Sequence, residues 1–220
     1  MHVDQPPAGS GTLATRLRAI GVVPVVELPA AELAVPLAEA LVAGGLACVE
    51  ITLRTAAALP GLEGVRRRFP ELLLGAGTVL STEQADAAVA AGADFVVSPG
   101  TSPALIEHCL ARGVPILPGV CTPTEIEAVR GYGLRAMKFF PAEPMGGASF
   151  LRALCGPYQD VEFVPTGGIS AAVLPGYLAL PRVLACGGSW MVRPELLLAE
   201  DFGAVETLAA EAARIVAGSR

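Results

Sequence analysis

Lysine is nearly missing from this chain. Of the 15 basic residues, Lys138 alone is a lysine, and the other 14 are arginine. Positions that ask only for positive charge are filled by arginine, so the single lysine marks a place where arginine does not serve. A guanidinium stays protonated and is a poor nucleophile, whereas an amine can give up its proton, attack a carbonyl and form a Schiff base. A high-GC genome that exchanges lysine for arginine would leave a similar count by chance. The surroundings of Lys138 decide between the two.

Other shortages narrow the field. There are two histidines, His2 and His108, and five scattered cysteines, Cys48, Cys109, Cys121, Cys155 and Cys186, with no Cys-x-x-Cys pair. That argues against a zinc site or a disulfide framework, and fits a reducing cytoplasm. Long apolar runs are missing too, although the mean hydropathy is high, at +0.57. The greasiest region, Ala34 to Leu53, is broken by Glu39, Gly44, Gly45 and Glu50, so no segment spans a bilayer. A net charge of −6 leaves no electrostatic footprint for nucleic acid. The one basic cluster, Arg66-Arg67-Arg68, closes a helical pattern, where it complements the helix dipole or faces solvent. Met1 to Gly11 is polar and rich in proline and glycine, without a signal-peptide core, and reads as a flexible tail. The rest, 53% hydrophobic and 16% charged over the whole chain, has the makings of one domain over 12–220.

What is present is a regular alternation. Helical patterns over Thr12 to Ile20, Ala30 to Ala43, Ala56 to Arg68, Ala104 to Ala111, Pro123 to Val129, Ser149 to Leu154, Ile169 to Leu178 and Phe202 to Ala217 are interleaved with short apolar runs. One further helix starts at Ser81, with Gln84 placed for a capping box. The runs are Val22 to Leu28, Leu46 to Arg54, Leu72 to Ala76, Ala93 to Val97, Val114 to Leu117, Arg135 to Phe140, Val161 to Pro165 and Arg182 to Cys186. Eight valine-rich strands alternating with helices predict a (β/α)8 barrel with a short N-terminal helix. A doubly wound open sheet is the alternative. It needs fewer strands and a glycine fingerprint after the first, where this chain has Leu28-Pro-Ala.

In such a barrel the functional residues stand at the C-terminal ends of the strands. The period-two alternation of Glu50-Ile-Thr-Leu-Arg54 puts Glu50, Thr52 and Arg54 on one inward face, where a buried Glu–Arg ion pair is the plain structural reading. Thr78 ends the third strand, Pro99 and Gly100 follow the fourth, and Lys138 and Phe140 share the inner face of the sixth. Thr166-Gly-Gly168 and Gly187-Gly-Ser-Trp190 end the seventh and eighth, where glycine turns commonly hold a phosphate through backbone N–H groups. These groups allow one chemistry in particular. A neutral Lys138 attacks the ketone of a 2-oxo acid, Glu50 moves protons, Arg54 and Thr78 hold the carboxylate, and Phe140 walls the pocket. With no metal ligand set in view, an imine is favoured over a metal-held enolate.

Val49-Glu-Ile-Thr-Leu-Arg-Thr55, Gly75-Ala-Gly-Thr-Val79, Ser98-Pro-Gly100, Lys138-Phe-Phe-Pro-Ala142, Pro165-Thr-Gly-Gly-Ile169 and Gly187-Gly-Ser-Trp190 together resemble the 2-keto-3-deoxy-6-phosphogluconate aldolase family of class I aldolases. The resemblance runs from about Gly21 to near the end of the chain. It implies a small barrel, usually a homotrimer, that needs no cofactor. The implied reaction cleaves 2-keto-3-deoxy-6-phosphogluconate to pyruvate and glyceraldehyde 3-phosphate in the Entner–Doudoroff route. In many members 4-hydroxy-2-oxoglutarate is also cleaved, to pyruvate and glyoxylate. By motif, Lys138 is the imine-forming lysine and Glu50 the general acid and base. Arg54 and Thr78 meet the pyruvate carboxylate, and Pro99, Phe140 and Thr166 line the pocket. Gly167, Gly168, Gly188 and Ser189 form the phosphate end. Two segments depart from the pattern. Gly146-Gly-Ala-Ser149 stands where relatives often carry a lysine, and Glu27-Leu-Pro29 where they often carry basic residues. Three alternatives remain: the phosphogalactonate branch with the same lysine, glutamate and arginine; a phosphate-binding barrel isomerase that forms no imine; and a non-catalytic binder on the same fold.

Overall fold

The structure, a computed structural model, describes residues 10–219. The first described element is a helix, α1 (Ser10–Ile20), so Ser10 and Gly11 belong to it rather than to a tail; residues 1–9 lie outside the described residues. Strands β1 (Val22–Val26), β2 (Cys48–Thr52), β3 (Leu73–Gly77), β4 (Phe95–Val97) and β5 (Ile116–Leu117) follow, all parallel, with β9 (Cys186–Gly188) on the far side of β1. A second parallel set joins β6 (Gly119–Val120), β7 (Ala136–Phe139) and β8 (Glu162–Pro165). The two sets are parts of one barrel. β5 and β6 are a single strand interrupted at Pro118, whose ring cannot donate to a ladder. On the other side, parallel bridges pair Phe163 with Val183 and Thr166 with Gly187, closing β8 onto β9.

Helices α2 (Ala34–Ala43), α3 (Ala58–Arg68), α4 (Thr82–Ala90), α5 (Pro103–Ala111), α6 (Pro123–Gly131), α7 (Gly147–Cys155), α8 (Leu174–Leu178), α9 (Pro194–Leu198) and α10 (Phe202–Gly218) cover the outside. The strand pleat sorts the side chains into two cores. Val49 and Ile51 of β2 and Met137 and Phe139 of β7 point outward into the larger core beneath the helices. There the Phe139 ring stacks on Phe150 of α7 at 6.0 Å. Val23, Cys48, Leu73, Phe95, Val97, Leu117 and Val164 point inward and fill the lower barrel. Leu13 and Leu17 of α1 complete this inner core, so the N-terminal helix plugs the barrel's N-terminal mouth. The next inward positions up are polar: Glu50 and Thr52 above Cys48, Lys138 above Ala136, and Thr166 above Val164, all buried.

Some boundaries differ from expectation. The last strand lies two or more residues later than Arg182 to Cys186, because pairing with β1 runs through Cys186, Gly187 and Gly188 while Val183 makes only the bridge to Phe163. The helix expected over Ile169 to Leu178 starts at Leu174, since the preceding residues form turns. At Ser81 the side chain accepts from the Gln84 N–H as a cap should, but the Gln84 side chain reaches back to the N–H of Leu80 rather than of Ser81.

Candidate active site

Lys138 and Glu50 meet inside the barrel. β7 and β2 are on opposite walls, and Lys138 Nζ lies 3.5 Å from Glu50 Oε1, with side-chain exposures of 7% and 5%. Burying two ionisable groups without a partner for each is costly, and here each supplies the other's. Glu50 reaches this place because β3 is bare beside it: Gly75 is its ladder partner, and Gly77, two residues on, pairs with Thr52. A Cβ on Gly77 would collide with the Glu50 carboxylate. The Phe140 ring centroid lies 5.2 Å from Lys138 Nζ, and the Phe140–Pro141 peptide that follows is cis.

Phe140 also lines a cleft of about 410 Å³ at the C-terminal mouth, whose lining includes neither Lys138 nor Glu50. Arg54, Thr166, Gly167, Gly168, Gly188 and Ser189 share that lining, which gathers most of the residues expected from sequence. Gly167 and Gly168 hold φ of +106° and +80°, a backbone that side chains strain to adopt, so the turn can present its amides to the cleft. Behind it stands Glu143. Its N–H donates to the Gly167 carbonyl at 2.9 Å, its Oε1 accepts from the Tyr177 hydroxyl at 2.6 Å, and its Cβ fills the space a Gly168 side chain would need. Burial, and then the hydrogen bond and charge of Glu143, push the Tyr177 phenol above the usual tyrosine range, so it stays a donor.

Other placements differ from the sequence reading. Arg54 is not paired with Glu50. It lies past the end of β2, half-exposed, with Nη1 3.2 Å from Glu27 Oε2. Thr52 faces the cleft, yet its hydroxyl is already used by the Val26 carbonyl at 2.8 Å. Thr78 and Pro99 stand at the same end of the barrel but outside the lining of this cleft. Thr78 holds φ of 56°, unusual for a β-branched residue and a local cost of the kind that clusters at functional sites. Three residues escaped sequence reasoning. Glu27, noted in the sequence only as part of a departing segment, directly follows β1, where the strand-end rule would have flagged it as a site residue. Arg193 follows Ser189 by four residues. Tyr177, in α8, carried no local signal.

Four of the five thiols are held away from the reactive thiolate form. Burial, and then the Glu50 charge, push Cys48 up, and burial pushes Cys109 up to about 11. Burial raises Cys121 and Cys155 as well. No disulfide links the five cysteines. Among the described residues, no helix is long and apolar enough to cross a membrane, and no three His, Cys, Asp or Glu side chains cluster as a metal set.

A parallel barrel with a lysine and a glutamate buried together under a glycine-walled cleft is the arrangement of a barrel aldolase, a carbon–carbon lyase. The model of the family described as KDPG and KHG aldolase matches residues 13–208, and the chain belongs to that family. The 2-dehydro-3-deoxy-phosphogluconate aldolase of Treponema pallidum is 50% identical over 205 residues, 93% of this chain and 98% of that protein. The KHG/KDPG aldolase of Escherichia coli is 44% identical over 87% of this chain and 90% of its own length. The crystal structure of KDPG aldolase from Legionella pneumophila, with pyruvate captured as a covalent carbinolamine, superposes with a TM-score of 0.87 at 39% identity, covering 94% of this chain and 97% of that one.

Proposed function

We propose that this chain cleaves 2-keto-3-deoxy-6-phosphogluconate to pyruvate and glyceraldehyde 3-phosphate through an imine on Lys138, and 4-hydroxy-2-oxoglutarate to pyruvate and glyoxylate by the same steps. The observation that carries this is the chain's one lysine, buried inside the barrel 3.5 Å from a carboxylate. The relatives named for these two substrates support the choice.

The steps follow from that contact. Glu50 takes a proton from Lys138, and the neutral amine attacks the C2 ketone. The carbinolamine loses water to give a protonated imine. Glu50, once ionised again, takes the proton of the C4 hydroxyl, directly or through a water. The C3–C4 bond breaks, its electron pair flows into the imine as an enamine, and the aldehyde leaves. Glu50 then returns its proton to C3, and water hydrolyses the imine to pyruvate and free Lys138. Arg54 and Thr78 hold the substrate carboxylate, Arg54 by exchanging Glu27 for it. Pro99, Phe140 and Thr166 wall the pyruvate half. The amides of Gly167, Gly168 and Gly188, with the Ser189 hydroxyl, receive the phosphate.

A homotrimer in the cytoplasm is part of the proposal. Family likeness supports the assembly, and five thiols outside any disulfide support the compartment. Light scattering giving three times the chain mass is the expected result. Pyruvate release from the gluconate- and galactonate-derived substrates, compared side by side, tests the reaction. Preference for the gluconate epimer is expected. Preference for the galactonate epimer would reassign the branch, and release from neither would overturn the reading.

A further inference from the structure

The cleft's charges are few and mostly spoken for. Its lining holds two cations, Arg54 and Arg193, and one anion, Glu27. Arg54 and Glu27 neutralise each other at 3.2 Å. Arg193 is exposed, and its side chain makes no hydrogen bond or ion pair among the described residues. It is also well placed. After Gly188 and Ser189 the chain turns tightly, with the Val192 N–H donating to the Ser189 carbonyl at 3.1 Å. Met191 and Val192 are both buried, 0% and 1% exposed, and pin that turn to the core. Arg193 therefore leaves a fixed turn directly beside the Ser189 end of the glycine cradle.

A glycine cradle supplies amide donors without full charge. A phosphate tail carries close to two negative charges at neutral pH, the protein as a whole carries −6, and Glu27 shares the cleft. Some cation must offset this for the tail to bind well. The planar fork of an arginine meets a phosphate with two parallel N–H donors. We propose that Arg193 is a specificity-determining residue for the tail. It provides the countercharge to the substrate phosphate, so that the preference for a phosphorylated over an unphosphorylated 2-oxo acid depends on it. This rests on the phosphorylated-substrate reading above.

The test is steady-state kinetics of the full-length protein and its Arg193→Gln, Arg193→Lys and Arg193→Glu variants. Substrates are 2-keto-3-deoxy-6-phosphogluconate and its dephosphorylated counterpart, and inorganic phosphate serves as a competing ligand. Proton exchange at the pyruvate methyl, which involves no tail, reports on the chemical centre. In Arg193→Gln, KM for the phosphorylated substrate should rise about tenfold with kcat within about twofold. Inhibition by inorganic phosphate should weaken in parallel. Arg193→Lys should keep most of the preference, and Arg193→Glu should lose more than the glutamine variant does. Exchange should hold in all three, which separates this role from a general loss of folded protein. A wild-type KM for the phosphorylated substrate in both Arg193→Gln and Arg193→Glu would overturn the inference and leave the aldolase reading standing. A wild-type enzyme indifferent to the phosphate would overturn the phosphorylated-substrate reading and this inference with it.

Discussion

Lys138 Nζ and Glu50 Oε1 face each other across the barrel at 3.5 Å, 88 residues apart in the chain. Nothing else among the described residues offers the lysine a base so near. The relationship makes Glu50 the proton carrier for amine, hydroxyl and enamine alike. Glu50→Gln keeps the shape and removes the base. Proton exchange at the pyruvate methyl, followed by NMR in deuterated water, should slow by about 100-fold or more, with pyruvate binding changed far less. An unchanged exchange rate would remove Glu50 from the role.

Gly77 is where that geometry is most easily broken without touching either group. An added methyl would occupy the space of the Glu50 carboxylate. Gly77→Ala should leave the barrel folded, since the residue ends a strand, but displace Glu50 by an ångström or so and cut exchange by about 100-fold. Exchange at the wild-type rate in a folded Gly77→Ala protein would show that the carboxylate need not sit there.

Tyr177 and Glu143 brace the turn at Gly167 and Gly168 from behind, with a 2.6 Å hydrogen bond. Tyr177→Phe removes the donor and leaves the Glu143 carboxylate without it. KM for the phosphorylated substrate should rise about fivefold, while exchange at the pyruvate methyl changes less than twofold. Equal losses in both would point to damage to the whole barrel instead.

Leu17 closes the barrel's lower mouth. It is fully buried among inward-facing residues of β1, β2, β3 and β4. Leu17→Ala should lower stability by about 3 kcal/mol in urea unfolding, through lost burial and the cavity left behind. Were the loss below about 0.5 kcal/mol, α1 would be a dispensable attachment rather than a plug.

How much of this was written in the sequence depends on how local each feature is. The valine-rich strands, the outward faces of Met137 and Phe139, and the inward faces of Lys138 and Glu50 follow from alternation alone. Pro118 splitting one strand into β5 and β6, and the later register of β9, were not legible, because they depend on which neighbour each strand pairs with. The five-residue helix α9 is too short for its periodicity to read. At the site, Glu50 and Arg54 sit on one strand and invite a pairing between them. Their real partners, Lys138 and Glu27, come from elements that only barrel closure brings near. Tyr177 lies in a helix with no polar neighbour in sequence to mark it, and only the fold shows what it holds.

The central claim is that Lys138 forms an imine with a 2-oxo acid. The direct measurement is intact-protein and peptide mass spectrometry after incubation with pyruvate and sodium borohydride. One reduced pyruvate adduct is expected, mapped to Lys138, and lost in Lys138→Arg while that variant stays folded. No adduct, or an adduct that survives in Lys138→Arg, would contradict the account.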